Sequence, residues 1–191
     1  MGGICGRALA ALSADPLEVG GKISPLDRFM PQAEVNECVS LRVAAPSASV
    51  MAAAQSLDLF DIPLIRALFA SRARLMGLGH SAQLPAVLAE ETGSYVIFGA
   101  VTKPWEGNVV FQPLEPSVFL AFADPGFAKI AWTLRVESEG TGSRCITETR
   151  VVTTSADARQ RFRRYWAVFS PGILLIRQRA LRSVKAAAER L

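Results

Sequence analysis

Hydrophobic positions recur at intervals of three and four residues through the last thirty residues of the chain. The members of this stripe are Phe162, Trp166, Phe169, Ile173, Ile176, Ala180, Val184, Ala187 and Leu191. Residues at this spacing share one face of a helix with about 3.6 residues per turn. The opposite face carries many basic residues, which are Arg161, Arg163, Arg164, Arg179, Arg182 and Lys185. The pattern predicts a long amphipathic helix whose apolar face lies on another part of the protein.

The predicted helix has a clear start and an interruption in its middle. Ser155 can accept a hydrogen bond from a backbone N–H of the first turn, and the carboxylate of Asp157 suits the electropositive end of a helix. Pro171 removes one backbone hydrogen bond and is followed by Gly172. Because the apolar phase continues across Pro171, we expect one kinked helix rather than two separate helices.

Apolar and polar residues alternate in two segments before this helix, which predicts two strands of a hairpin. In residues 127–137, one face carries Ala128, Ile130, Trp132, Leu134 and Val136. Residues 144–153 form the return strand after a turn at 140–142, and one face of it carries Cys145, Thr147, Thr149 and Val151. We expect one face of this hairpin in the core and cross-strand charge pairs on the other.

The earlier part of the chain predicts a second hairpin and several helices. Residues 1–33 are rich in Gly and Ala, contain three prolines and predict an irregular arm, so the folded domain should span 34–191. A strand is expected at 35–43 and is followed by helices at 46–56 and 62–76.

Further strands are expected at 86–91 and 95–101, joined by a tight turn at 92–94. Residues 103–116 should be irregular, apart from a short strand at 109–111, and Pro116 should open a short helix.

Length and composition favour a single domain. The chain has 191 residues, half of them hydrophobic, which is enough for one sizeable core. No apolar run approaches the roughly 18 residues of a membrane span, so no transmembrane segment is expected. The apolar stretch at 8–12 is too short for a secretory signal, and a cytoplasmic location is the default expectation.

The net charge of +4 is distributed unevenly. Between Arg159 and Arg190 there are nine Lys or Arg and one acidic residue, so the rest of the chain carries −4. Arginines on a solvated helix face commonly cover apolar surface with their stems, and this is the simpler interpretation. The alternative is a docking surface for an anionic membrane or an acidic partner. No nucleic-acid motif accompanies the charge, so no nucleic-acid partner is expected.

Cysteine and histidine are too few for several kinds of site. Three cysteines without paired spacing, Cys5, Cys38 and Cys145, argue against a disulfide framework and a zinc knuckle. Cys145 fits a small core residue. The one histidine, His80, lies in a glycine loop without a nucleophile motif. We therefore expect no metal, no cofactor and no imidazole-based catalysis.

Three segments carry a resemblance to a known family. They are Pro125–Trp132, Thr147–Val151, and Phe162–Trp166 with the later Pro171 and Gly172. Over residues 35–191 the chain resembles START-like helix-grip domains, also called the SRPBCC or polyketide cyclase-like superfamily, and is most similar to a bacterial branch of it. The resemblance implies an α+β fold in which a curved antiparallel sheet wraps around a long C-terminal helix, with two shorter helices after the first strand. It also implies a cavity between sheet and helix for lipids, polyketides or aromatic compounds.

The residues expected around such a cavity are mostly aromatic. The bulky candidates are Trp105, Phe111, Phe119, Phe122, Trp132, Trp166 and Phe169. Thr147, Thr149 and Tyr165 are the candidates for orienting a ligand through a hydroxyl group. Ordinary core packing is the alternative interpretation for each aromatic residue.

Three functions remain open at this level. The first is binding of a hydrophobic small molecule inside the cavity. The second is an enzyme of cyclase or dehydratase type, with Glu148 and Arg150 as the weak catalytic candidates. Alternation places both opposite Thr147 and Thr149, which favours a structural or exposed pair with Arg135 or Lys129, whereas a shifted register would bring Glu148 into the cavity. The third is an interaction module that uses the basic helix face. The identity of the ligand is not determined, and a homodimer is left open.

Overall fold

A single antiparallel sheet and one long helix organise the protein. The computed structural model describes residues 4–5, 24–57, 86–107 and 109–190. The strands in the described part are β1 (Ile4–Cys5), β2 (Val35–Val43), β3 (Ala86–Glu91), β4 (Tyr95–Thr102), β5 (Ala128–Glu139) and β6 (Gly142–Thr153). Their order across the sheet is β1-β2-β6-β5-β4-β3, and every pairing is antiparallel. The helices are α1 (Ser47–Gln55), α2 (Pro116–Ala121) and α3 (Ala156–Ala188).

The expected α+β architecture is confirmed: a curved antiparallel sheet packs against a long helix near the end of the chain. Helix α3 is continuous through Pro171, and the hydroxyl of Ser155 accepts a hydrogen bond from the backbone N–H of Ala158 at 3.2 Å. Of the two helices expected after the first strand, α1 is present. The second, predicted at 62–76, and the loop with His80 lie outside the described residues.

The two central hairpins define which residues share a face of the sheet. Trp132 is paired with Phe98 on one side and with Thr149 on the other, so these three side chains lie on the same face. Gly93 and Gly140 adopt positive φ at the two hairpin turns, a conformation that favours glycine. We call the face that carries Phe98, Trp132 and Thr149 the inner face, because it faces α3.

The inner face is packed by α3 and α1 at one end of the sheet. The buried cluster there joins Val39, Val43, Val50, Met51, Val136, Cys145, Leu181 and Val184. Cys145 is fully buried, as expected for a small core residue, and burial raises the pKa of its thiol to about 12. The last turns of α3 are thereby fixed against the sheet.

The opposite, outer face of the sheet differs from the expectation, because it is buried rather than open. A 3₁₀ helix at Pro25–Arg28 and the residues after it lie on this face. Leu26, Phe29 and Met30 form a buried cluster there with Leu88, Ile97, Val101, Phe119 and Ala131. The described end of the segment expected to be an irregular arm, residues 24–30, therefore covers the sheet. The alternation of apolar and polar residues along the strands could not reveal that residues about a hundred positions earlier in the chain would pack on this face.

Candidate functional site

A cavity of about 740 Å³ lies between the inner face of the sheet and α3. The strands contribute Phe98, Ile130, Trp132, Leu134, Thr147, Thr149 and Val151. Helix α3 contributes Phe162, Tyr165, Trp166, Val168, Phe169, Gly172, Ile173, Ile176, Arg177, Ala180, Leu181 and Val184. Alternate residues of the strands and every third or fourth residue of α3 thus meet across the same space.

Aromatic pairs shape the walls of this cavity. Phe98 stacks on Trp132 across β4 and β5, with ring centroids 5.9 Å apart. On α3, Phe162 stacks on Trp166 at 5.5 Å, and Tyr165 stacks on Phe169 at 4.9 Å. Because stacked rings restrict one another's rotamers, these aromatic pairs give the cavity walls a defined shape.

Most of the residues that the sequence predicted for the cavity meet there. Those that line it are Phe111, Trp132, Thr147, Thr149, Tyr165, Trp166 and Phe169. Trp105 lines a neighbouring pocket instead. Phe119 and Phe122 lie on the outer face, where Phe119 is fully buried in the cluster with Leu26 and Phe122 packs against that cluster. Their placement in the cavity was wrong for this structure, because α2 packs beside β3 and β4 on the outer side.

Glu148 and Arg150 are also on the outer face, and both are buried. The Nε atom of Arg150 donates to Glu148 at 2.7 Å, and its Nη1 atom donates to Asp27 at 2.6 Å and to the carbonyl of Met30 at 2.7 Å. The hydroxyl of Ser24 donates to the other oxygen of Glu148 at 2.5 Å. The expected register is present, so Glu148 does not enter the cavity. The pair joins the segment at 24–30 to β6.

The partners expected for Glu148 were wrong. The Nη1 atom of Arg135 lies 3.3 Å from the Oε1 atom of Glu137 in the same strand and forms an ion pair with it. The ammonium group of Lys129 donates to the backbone carbonyls of Leu120 and Phe122 at the end of α2. Both residues sit on the outer face as predicted, but the hydrogen bonds of Glu148 are made instead with Arg150 and Ser24.

The charged pair that does lie on the inner side of the sheet is Glu37 with Arg177. The Nη2 atom of Arg177 donates to the carbonyl of Thr147 at 2.6 Å and to the carbonyl of Glu37 at 3.1 Å. Nη1 lies 3.7 Å from the carboxylate of Glu37, which is an ion-pair distance but not a hydrogen bond. Arg177 Nε and Nη1 and Glu37 Oε2 are buried without a hydrogen-bond partner in the described part of the chain. Such groups are rare in folded proteins.

Burial dominates the electrostatics of this pair. Desolvation raises the pKa of Glu37 above its ordinary value of 4.5, although the Arg177 guanidinium acts in the opposite direction. Desolvation likewise lowers the pKa of Arg177, although Glu37 opposes it. The sequence contained a signal for this pair that was missed: Arg177 follows Ile173 by four residues and so lies among the apolar positions of α3, away from the basic face.

A second pocket of about 580 Å³ adjoins the cavity at the first turns of α3. We call it the outer pocket, although it lies beside α3 and not on the outer face of the sheet. It is lined by Trp105, Asp157, Gln160, Arg161, Arg164, Tyr165, Val168 and Phe169. Tyr165, Val168 and Phe169 line both spaces. The two pockets therefore share a wall, and the loop that carries Trp105 contributes the adjacent Pro104 to the cavity.

The described residues lack two features that other classes of protein have. In residues 4–5, 24–57, 86–107 and 109–190, no three His, Cys, Asp or Glu side chains group in a way that could hold a metal ion. Within the same residues, no helix combines the length and apolar character that crossing a membrane requires.

Comparison with known proteins does not assign this chain to a family. No protein-family model matches the chain, and no curated protein matches it. Among solved structures, protein CV1439 from Chromobacterium violaceum is 14% identical, with 81% of this chain and 96% of that chain covered and a TM-score of 0.39. Ara h 8.0201 is 10% identical, with 82% and 99% covered and a TM-score of 0.31. CalU16 from Micromonospora echinospora is 14% identical, with 80% and 87% covered and a TM-score of 0.29. Because these scores are low, the fold rests on the strands and helices described above.

Proposed function

We propose that this protein binds a hydrophobic small molecule in the cavity between its sheet and α3. The observation that carries the proposal is the cavity itself: about 740 Å³ with a wall made mainly of aromatic and aliphatic side chains. Ligand sites commonly enclose about 300 to 1,000 Å³ and combine an apolar lining with a few polar groups. An apolar guest removes that surface from water and gains dispersion contacts that an empty or hydrated cavity lacks.

A few polar groups are available to orient such a guest. Thr147 and Thr149 line the cavity from β6, and Arg177 lines it from α3. The hydroxyl of Thr147 lies 3.4 Å from Nη2 of Arg177, so these two groups form one polar spot in an apolar wall. A guest with one hydrogen-bonding group would be held in a preferred direction by this spot, while its apolar part supplies most of the affinity.

Fluorescence of N-phenylnaphthylamine, a neutral aromatic dye that brightens when it leaves water, provides the test. The protein should bind the dye, and Ala180→Phe, which adds a ring to the cavity wall, should reduce that affinity at least about tenfold by occupying the volume. Ala186→Phe is the matched control, because Ala186 is an exposed residue of the same helix. Circular dichroism should show both variants folded.

Two outcomes would contradict the proposed binding function. If the wild-type protein does not bind the dye, and native mass spectrometry shows no copurified small molecule, the cavity does not act as a binding site. If the dye binds equally to the wild type and to Ala180→Phe, it binds elsewhere on the surface, and the proposal fails for this cavity.

A second candidate function is an enzyme of cyclase or dehydratase type, and the Glu37–Arg177 pair favours it. A carboxyl group with a raised pKa can hold a proton closer to neutral pH, which general acid catalysis requires. Arg177 lines the cavity and contacts Glu37, whereas Glu148 faces the other side of the sheet. For any turnover that is found, Glu37→Gln should abolish it. Glu139→Gln, the same change at a glutamate that lines neither pocket, should retain it. Retained turnover in Glu37→Gln would exclude Glu37 as the acid.

A further inference from the structure

The outer pocket has a different chemical character from the cavity that it adjoins. Its wall combines the aromatic rings of Trp105, Tyr165 and Phe169 with charged groups from the exposed side of α3. The cavity wall contains one charged residue among those described, Arg177, and is otherwise apolar apart from threonine and tyrosine hydroxyls. A molecule that extends from one space into the other therefore passes from an apolar to a charged environment.

The charges that the described residues bring to the outer pocket do not cancel. Arg161 pairs with Asp157 at 2.9 Å, one helical turn away, so these two neutralise each other. Arg164 has no ion pair with any residue in the described part of the chain. Among the residues that the structure describes, Arg164 is thus a positive charge of the outer pocket without an ion-pair partner, and it lies beside the wall shared with the cavity.

The cavity extends along α3, which fits an elongated guest. The residues of α3 that line the cavity run from Phe162 to Val184. At about 1.5 Å per residue this corresponds to roughly 33 Å along the helix. Arg164 and Tyr165 lie at one end of this run, so a guest aligned with α3 would place one of its ends at the outer pocket.

From these observations we infer that the guest is an amphipathic acid, with its hydrocarbon part in the cavity and its carboxylate in the outer pocket against Arg164. This inference rests on the proposed binding function and adds the chemical class of the ligand. A planar guanidinium offers paired N–H donors that match the two oxygens of a carboxylate. A fully neutral guest would offer Arg164 no counter-charge.

The experiment compares an acid and an alcohol with the same hydrocarbon chain. Dodecanoate and dodecanol compete with N-phenylnaphthylamine for the wild-type protein, for Arg164→Gln and for Arg163→Gln. Arg163 is the matched control, because it is exposed, carries the same charge and lines neither pocket. Arg164→Gln should weaken the affinity for dodecanoate by about three- to fivefold, which is the range expected for the loss of a solvent-accessible ion pair. Dodecanol affinity should stay unchanged in all three proteins.

Salt provides an independent measurement on the wild-type protein. Raising the ionic strength to about 0.5 M screens an exposed ion pair, so it should weaken dodecanoate binding. The difference in salt response between dodecanoate and dodecanol should disappear in Arg164→Gln and persist in Arg163→Gln.

The outcomes separate the two proposals. If dye and dodecanol bind but Arg164→Gln leaves dodecanoate affinity unchanged, the acidic subsite is refuted while hydrophobic binding stands. If Arg163→Gln weakens dodecanoate as much as Arg164→Gln does, the effect comes from the general charge of α3, and the subsite is again refuted. If neither dye nor either competitor binds, the binding function itself fails, and the inference fails with it.

Discussion

The buried Arg150 on the outer face yields the most specific stability prediction. Arg150→Met removes three hydrogen bonds, to Glu148, Asp27 and the carbonyl of Met30. It leaves Glu148, whose side chain is 8% exposed, with the hydroxyl of Ser24 as its remaining described hydrogen-bond partner. An ionised carboxylate that loses its counter-ion while buried destabilises the fold much more than the loss of one neutral hydrogen bond.

The expected loss is about 3 to 5 kcal/mol in the free energy of unfolding, the usual range for breaking one side of a buried ion pair. Since small domains are stable by about 5 to 15 kcal/mol, Arg150→Met should remain partly or fully folded but unfold at a much lower urea concentration. The double variant Arg150→Met, Glu148→Met removes the unpaired carboxylate as well. It should therefore lose less stability than Arg150→Met alone.

Urea unfolding followed by tryptophan fluorescence and circular dichroism measures these losses. Arg144→Met is the matched control, because Arg144 lies on the same strand and also pairs with a glutamate, Glu139, but the side chains of that pair are 32% and 26% exposed rather than buried. Its loss should be much smaller. If Arg150→Met loses no more stability than Arg144→Met, or if the double variant loses as much as or more than Arg150→Met alone, the buried network does not hold residues 24–30 on the sheet as described.

Two further predictions concern the inner and outer faces separately. Because burial raises the pKa of Glu37 above 4.5, the native state binds this proton more tightly than the unfolded chain does. The contribution of Glu37 to stability is therefore full below pH 4.5 and is lost as pH rises through the native pKa. Glu37→Gln should flatten this part of the stability profile measured by urea unfolding at several pH values, and an unchanged slope would contradict the assignment. Phe119→Ala should lower stability by about 3 to 5 kcal/mol, since this ring is fully buried. The affinity of its folded fraction for N-phenylnaphthylamine should remain that of the wild type, and a large loss would place Phe119 in the cavity after all.

Much of the candidate site could be predicted because it depends on local periodicity. Trp132 and Thr149 belong to strands whose side chains alternate between two faces, and Trp166 and Phe169 belong to a helix with an apolar stripe. These periods follow from backbone geometry, so the residues that share a face can be inferred from the sequence. Phe119 and Phe122 had no such constraint, because α2 has only six residues and its short pattern does not indicate which side of the sheet it will pack on.

The sequence by itself determined the strands, the hairpins, the long helix and the composition of each of their faces. Only the tertiary structure decided what covers each face. Glu37 and Arg177 are 140 residues apart, and Asp27 and Arg150 are 123 residues apart, yet each pair meets in the folded protein. The physical reason is that periodicity follows from the local geometry of helices and strands, whereas the partner of a face depends on how the whole chain packs to bury apolar surface and pair buried charges.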